Sequence, residues 1–176
     1  DYFNRTGPER SLRTVGALIS FAVNHARAYQ LGKARESLKV ASVFLDELKA
    51  DHGSSAQYKG LQFQHMAADA EADAVAEQYD SASGKYRDAL EFGRDALVAS
   101  DPRIILAIRS LAECYVLAGK PKDATPLLQN ALMLAKGPSV AMMYKDQVLA
   151  ALYKRLAGCF LAEQEYVQAQ RTQHEG

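Results

Sequence analysis

Residues Ile108–Ala124 (IRSLAECYVLAGKPKDA) return 45 residues later as Tyr153–Ala169 (YKRLAGCFLAEQEYVQA), with Leu-Ala, Cys, an aromatic residue and Ala held in register. Similarity at a fixed offset constrains the fold more than any single residue. A unit that repeats buries its apolar face against its neighbours, which is the signature of stacked helical units. Composition agrees. Ala and Leu are abundant, Trp is absent, and the 176 residues include only 5 Pro and 11 Gly. The β-branched and aromatic runs that mark strands are scarce, so the expected class is all-α.

The charge balance narrows the function classes. Twenty-one basic residues offset 21 acidic ones, and no basic stripe stands out, which argues against nucleic acid as a partner. Cys114 and Cys159 are too few for a disulfide framework and lack zinc-ligand spacing. They occupy equivalent repeat positions. Neighbouring helix axes lie roughly 8–10 Å apart, further than a disulfide spans, so two free buried thiols and a reducing intracellular compartment such as the cytoplasm are expected. The longest apolar stretch, Val15–Val23, is far shorter than the ~20 residues of a membrane span, so no membrane partner is expected. Asn4-Arg5-Thr6 fits a glycosylation sequon, but no signal peptide accompanies it. The chain starts at Asp1 and stops partway through a repeat, and a piece of a longer protein is expected.

Four helix pairs are expected, in units of about 10–50, 55–100, 102–136 and 139–174. Their turns are read at Leu31-Gly32-Lys33, Ser83-Gly84-Lys85, Ala118-Gly119-Lys120 and Glu163-Gln164-Glu165. Gly suits a helix end because it adopts the left-handed conformation at little cost. Between pairs, Asp51–Ser55, Ser100-Asp101-Pro102 and Lys136–Ser139 combine Gly or Pro with a Ser or Asp able to cap the next helix. The predicted helices are 10–30, 34–50, 55–82, 86–99, 102–118, 122–135, 139–163 and 166–174. Pro126 is expected to delay or bend the sixth.

The spacing of Ile108, Leu111, Ala112, Tyr115, Gly119, Ala124, Leu128 and Ala131 resembles the tetratricopeptide repeat (TPR). Tyr153, Leu156, Ala157, Phe160, Tyr166 and Ala169 repeat the pattern. The second unit matches only in its second helix, through Gly84, Tyr86, Ala89 and Ala96. In its first helix, Asp73, Ala76, Glu77 and Asp80 stand where apolar residues belong. The first unit keeps Phe21, Gly32 and Phe44 but puts Asn24 and His25 at the Leu-Gly positions. The resemblance implies antiparallel helix pairs stacked in a right-handed superhelix, an α-solenoid whose first helices line a concave groove.

Carried over onto this sequence, that groove would be lined by Arg109, Glu113 and Val116 of the third unit and Lys154, Gly158 and Leu161 of the fourth. Arg109 and Lys154 are equivalent, and together could clamp an acidic side chain or a terminal carboxylate. The simpler reading is two solvated surface cations. The Lys and Asn with which chaperone-binding members grip a carboxylate are replaced by Ala22, Ala26, Ala74 and Gln78, so that ligand is not expected.

His65, Asp69, Asp73, Glu77 and Asp80 recur at one-turn spacing on the expected third helix. They form a possible acidic patch for a basic partner, or a plain solvated face. One helix rarely supplies a complete metal site, and none is expected here. Gly-Lys is never followed by Ser or Thr, so no phosphate loop is present, and His25, His52 and His174 are scattered. No catalysis and no cofactor are expected. The expected function is a non-enzymatic scaffold or adaptor holding a protein or peptide segment within a larger assembly. The alternative is a regulatory sensor domain with a small molecule or signalling peptide in a closed polar pocket. The sequence leaves the oligomeric state open.

Overall fold

The computed structural model describes residues 8–98, 101–137 and 145–175, and every regular element among them is an α-helix. These are α1 (Pro8–Arg27), α2 (Leu31–His52), α3 (Ala56–Val75), α4 (Tyr79–Ala96), α5 (Pro102–Leu117), α6 (Pro121–Lys136) and α7 (Lys145–Glu175). They form two compact units, Asp1–Val98 and Ala99–Gly176. The Asn4 sequon and Pro138-Ser139 lie outside the described residues.

Three helical hairpins share one turn. Tyr29, Glu77 and Gly119 take the left-handed conformation, with φ of 57°, 60° and 73°. The next residue's N–H then reaches back to the carbonyl five positions earlier: Gln30 to His25, Gln78 to Asp73 and Lys120 to Tyr115, at 2.8, 2.9 and 2.8 Å. This Schellman closure satisfies carbonyls that the helix end would otherwise leave open. Each hairpin also places two alanines twelve residues apart across its turn: Ala22 and Ala34, Ala70 and Ala82, Ala112 and Ala124. All six are buried. Side chains this small let the paired helices approach closely along their length.

This register corrects the expected turns. The second turn is at Ala76-Glu77-Gln78, not Ser83–Lys85, so the expected helix 55–82 ends at Val75 and α4 begins at Tyr79. Gly84 lies inside α4 and Gly32 inside α2, and a Cβ at either would meet no neighbouring atom. A Gly in an exposed helical position costs only ~1 kcal/mol, so it does not by itself end a helix. In the corrected register, Ala22 and Ala70 stand at the position of Ala112, while Phe21, which is exposed, and Asp69 stand where the third pair has the buried Leu111.

The fourth expected turn is absent, because α7 runs through Glu163-Gln164-Glu165 without a break. Glu and Gln are good helix formers, and neither Gly nor Pro interrupts them. Thr125 Oγ1 on α6 also donates to Glu163 Oε1 at 2.6 Å.

In the first unit α3 packs on both α1 and α2. Leu12, Val15 and Ile19 of α1, Leu38 and Leu45 of α2, and Tyr58 and Leu61 of α3 share one apolar cluster. The Tyr58 hydroxyl satisfies itself by donating to the Leu45 carbonyl at 3.0 Å. Ser55 caps α3 by accepting from the Tyr58 N–H at 3.1 Å. In the second unit α6 packs on both α5 and α7, and Ile105, Leu128 and Leu152 are fully buried. Asp101 caps α5 through the Arg103 N–H at 2.9 Å and also accepts from the Arg103 guanidinium. α6 starts at Pro121 and continues through Pro126.

Candidate functional site

Arg109, Glu113 and Val116 are spaced by four and three residues, which puts them on one face of α5. Lys154, Gly158 and Leu161 repeat that spacing on α7. The two helices meet at an ion pair, with Arg155 Nη2 of α7 donating to Glu113 Oε1 of α5. Arg109 and Val116 are half-buried, while Lys154 is exposed. Leu161 is 62% exposed, a large apolar side chain left in water.

The first unit has a counterpart that the sequence reading missed. Arg27 Nε of α1 donates to Glu71 Oε1 of α3 at 2.7 Å. Glu71 and Glu113 each stand six residues before the left-handed residue of their hairpin. A carboxylate at one repeat position thus meets an arginine from another first helix in both units. Exposed pairs of this kind contribute ~0–1 kcal/mol to stability. The signal was present in the sequence, but it is visible only once the turn is set at Glu77.

The expected acidic series is divided among three elements. His65, Asp69 and Asp73 lie on α3, Glu77 forms the turn, and Asp80 opens α4. His65 Nε2 donates to the Leu38 carbonyl at 2.9 Å. Asp73 is only 4% exposed. It accepts from Ser81 Oγ at 2.7 Å and from Lys85 Nζ at 2.8 Å, with Arg35 Nη2 at 3.4 Å. Lys85 reaches Asp69 Oδ2 at the same 2.8 Å. A single exposed acidic face is therefore not what these residues make, because a buried carboxylate requires its compensating charges close by.

Burial works to raise the Asp73 pKa, but hydrogen bonds from Lys85 and Ser81 and the charges of Lys85 and Arg35 outweigh it and hold it below the ordinary carboxylate value. Burial likewise opposes the charge on Lys85, and the bonds to Asp69 and Asp73 override it and raise its pKa. The network borders a cleft of about 520 Å³ that also touches Arg35, Lys39 and Ser42. It opens to solvent, and Arg35, Asp69, Asp73 and Lys85 in it pair with one another, so it is not the closed, convergent pocket that a sensor reading requires.

Both cysteines are buried and unpaired. Burial, with the nearby Glu113 carboxylate, pushes the Cys114 thiol up to about 11. Burial and Glu163 raise that of Cys159. Such thiols are poor nucleophiles at neutral pH. Among the described residues no group of three or more His, Cys, Asp and Glu side chains is placed to hold a metal ion. No helix among them is long and apolar enough to cross a membrane.

The backbone matches the crystal structure of a TPR-like protein from Chlorobium tepidum TLS with a TM-score of 0.65. The match covers 86% of this chain and 97% of that one, at 17% sequence identity, so the likeness is one of fold. No family model matches the sequence, and neither does any curated protein.

Proposed function

We propose that this chain is a non-enzymatic scaffold that binds a protein or peptide segment along the first helices of its second unit, as part of a larger assembly. The observation that carries the reading is the Glu113–Arg155 pair, which links α5 to α7. Arg109 and Val116 share a face of α5 with Glu113, and α7 adds the exposed Lys154 and Leu161. Two cations beside apolar side chains suit a segment with an acidic side chain or a terminal carboxylate next to an apolar anchor. In helical-repeat proteins such faces recognise extended or helical peptides, and rigid helices present the contacting side chains at little entropic cost. The buried, unpaired thiols suit a reducing compartment.

The test compares the wild-type chain with Arg109→Glu/Lys154→Glu in affinity capture from the source lysate, followed by titration of the retained partner. The expected result is a partner held by the wild type and lost from the double variant, with both proteins melting alike. Equal retention by the two proteins would remove these residues from the site.

A further inference from the structure

The pairs Arg27–Glu71 and Arg155–Glu113 both join first helices, but their surroundings differ. In the first unit Gly16, Ser20, Val23 and Arg27 follow one another at helical spacing along α1. α3 packs directly on that helix. A Cβ on Gly16 would stand 3.5 Å from Leu61 Cδ2 of α3, and Arg27 bonds Glu71 at the far end of the stripe. The pair there borders a closed seam.

With Ala112 equivalent to Ala22, the matching stripe of α5 is Leu106, Ser110, Glu113 and Leu117. Among the described residues, α5 and α7 pack on α6 rather than on each other. Leu106 and Leu117, on either side of Glu113, are accordingly 37% and 53% exposed. On α7 the same repeat positions are Ala151, Arg155, Gly158 and Ala162, so Arg155 is the long side chain of its stripe. A Cβ on Gly158 would meet nothing within 4 Å, which leaves open space one turn from the arginine. Arg155 and Glu113 are themselves partly exposed, and the pair can be reached from solvent.

A guanidinium presents a planar fork of N–H donors that suits a carboxylate. In the free chain Glu113 supplies that carboxylate from between two exposed leucines. A carboxylate from another molecule can replace it at little cost, because an exposed pair is weak. The leucines then reward an apolar neighbour: Leu117 lies ~6 Å from Glu113 along α5, and Leu106 ~10 Å in the other direction.

We propose that Arg155 receives the carboxylate of the partner segment and that Glu113 is an internal competitor holding Arg155 in the free chain, an inference that rests on the second unit being the partner-binding one. The ligand is a protein segment with an Asp or Glu side chain close to an apolar one. Glu113 sets the selectivity. A segment without a carboxylate leaves the internal pair intact and gains apolar contact alone, whereas one with a carboxylate exchanges for Glu113 on Arg155.

The test titrates two fluorescein-labelled peptides by fluorescence anisotropy: one with a single Glu flanked by leucines, the other with Gln in its place. The wild-type chain is expected to bind both weakly. Glu113→Gln removes the competitor and should tighten the Glu peptide by up to about fivefold, with little effect on the Gln peptide. Adding Arg155→Gln to that variant should abolish the preference for Glu over Gln. Glu71→Gln, at the closed seam of the first unit, should change neither affinity. A preference for Glu that survives Glu113→Gln/Arg155→Gln would assign the carboxylate to Arg109 and Lys154, leaving the partner-binding reading standing and overturning the exchange. Unchanged affinity in Glu113→Gln, or an equal gain from Glu71→Gln, would overturn the exchange too. If no protein binds either peptide, the exchange and the reading beneath it both fall.

Discussion

The three left-handed residues show how weakly a single residue determines a turn here. Gly119 takes φ of 73° freely, while Tyr29 and Glu77 hold the same conformation with side chains that disfavour it. For such residues the strain is ~1–2 kcal/mol, against ~0.5–1 kcal/mol that Gly loses through its freer unfolded state. The difference predicts opposite signs at equivalent positions. Glu77→Gly should stabilise by about 0.5–1 kcal/mol, and Gly119→Ala should destabilise by about 1 kcal/mol, both read from urea midpoints. If both changes destabilise, the turns are not equivalent. The same comparison explains why the second turn was misplaced from sequence: Ser83-Gly84-Lys85 carries the expected residue, and Glu77 does not. Gly93 is a glycine whose role only the structure reveals. A Cβ there would stand 2.6 Å from Cε2 of the fully buried Phe63. Gly93→Ala should therefore cost about 1–3 kcal/mol despite the gain in helix propensity. An unchanged melting temperature would mean that α3 and α4 can separate at no cost.

At the scale of elements, α3 and α4 are joined by the Asp69–Lys85–Asp73 bridge, with α2 adding Arg35. The carboxylates were legible in sequence as a helical series, but their partners were not. Lys85 sits in α4 only because the turn falls at Glu77, so an expected acidic face became an internal tie. Its pH dependence has a definite sign. The Asp73 pKa is lower in the folded chain than in the unfolded one. Its contribution is thus complete above the unfolded value, near 4, and is lost as pH falls through the folded value. Asp73→Asn should cost about 1–3 kcal/mol at pH 7, and the gap from wild type should narrow below about pH 4. A gap that does not change with pH would show that the carboxylate acts through shape alone. α7 gives the complementary lesson. Its repeat motif was legible from Tyr153 to Ala169, yet helix-forming residues fill the expected turn and α7 continues through it.

At the scale of the molecule, equal numbers of acidic and basic residues leave no net charge to attract partners of either sign. The partner binding proposed above would then rest on local faces such as that of α5 around Glu113. The all-α class, the helix pairing and the third hairpin were legible because period and small-residue spacing report packing within a hairpin. The ion pairs were not, because they join helices whose relative register the sequence does not state. The two cysteines offer a probe of how the second unit opens as a body. Cys114 ionises near 9 when unburied and at about 11 in place, so burial favours its neutral thiol. An exposed thiol labels tenfold faster per pH unit until it is ionised, then levels off near pH 9. For Cys114, reaction through opening also gains from the easier ionisation of the open form, because stability falls as pH rises from the unfolded value toward the folded one. Its labelling should be much slower than that of a free thiol at pH 7. It should keep rising about tenfold per pH unit past pH 9, and level off only near pH 11. A plateau near pH 9 would mean that the thiol is reached without opening the helices around it, and that α5 and α6 do not close on one another as a packed pair.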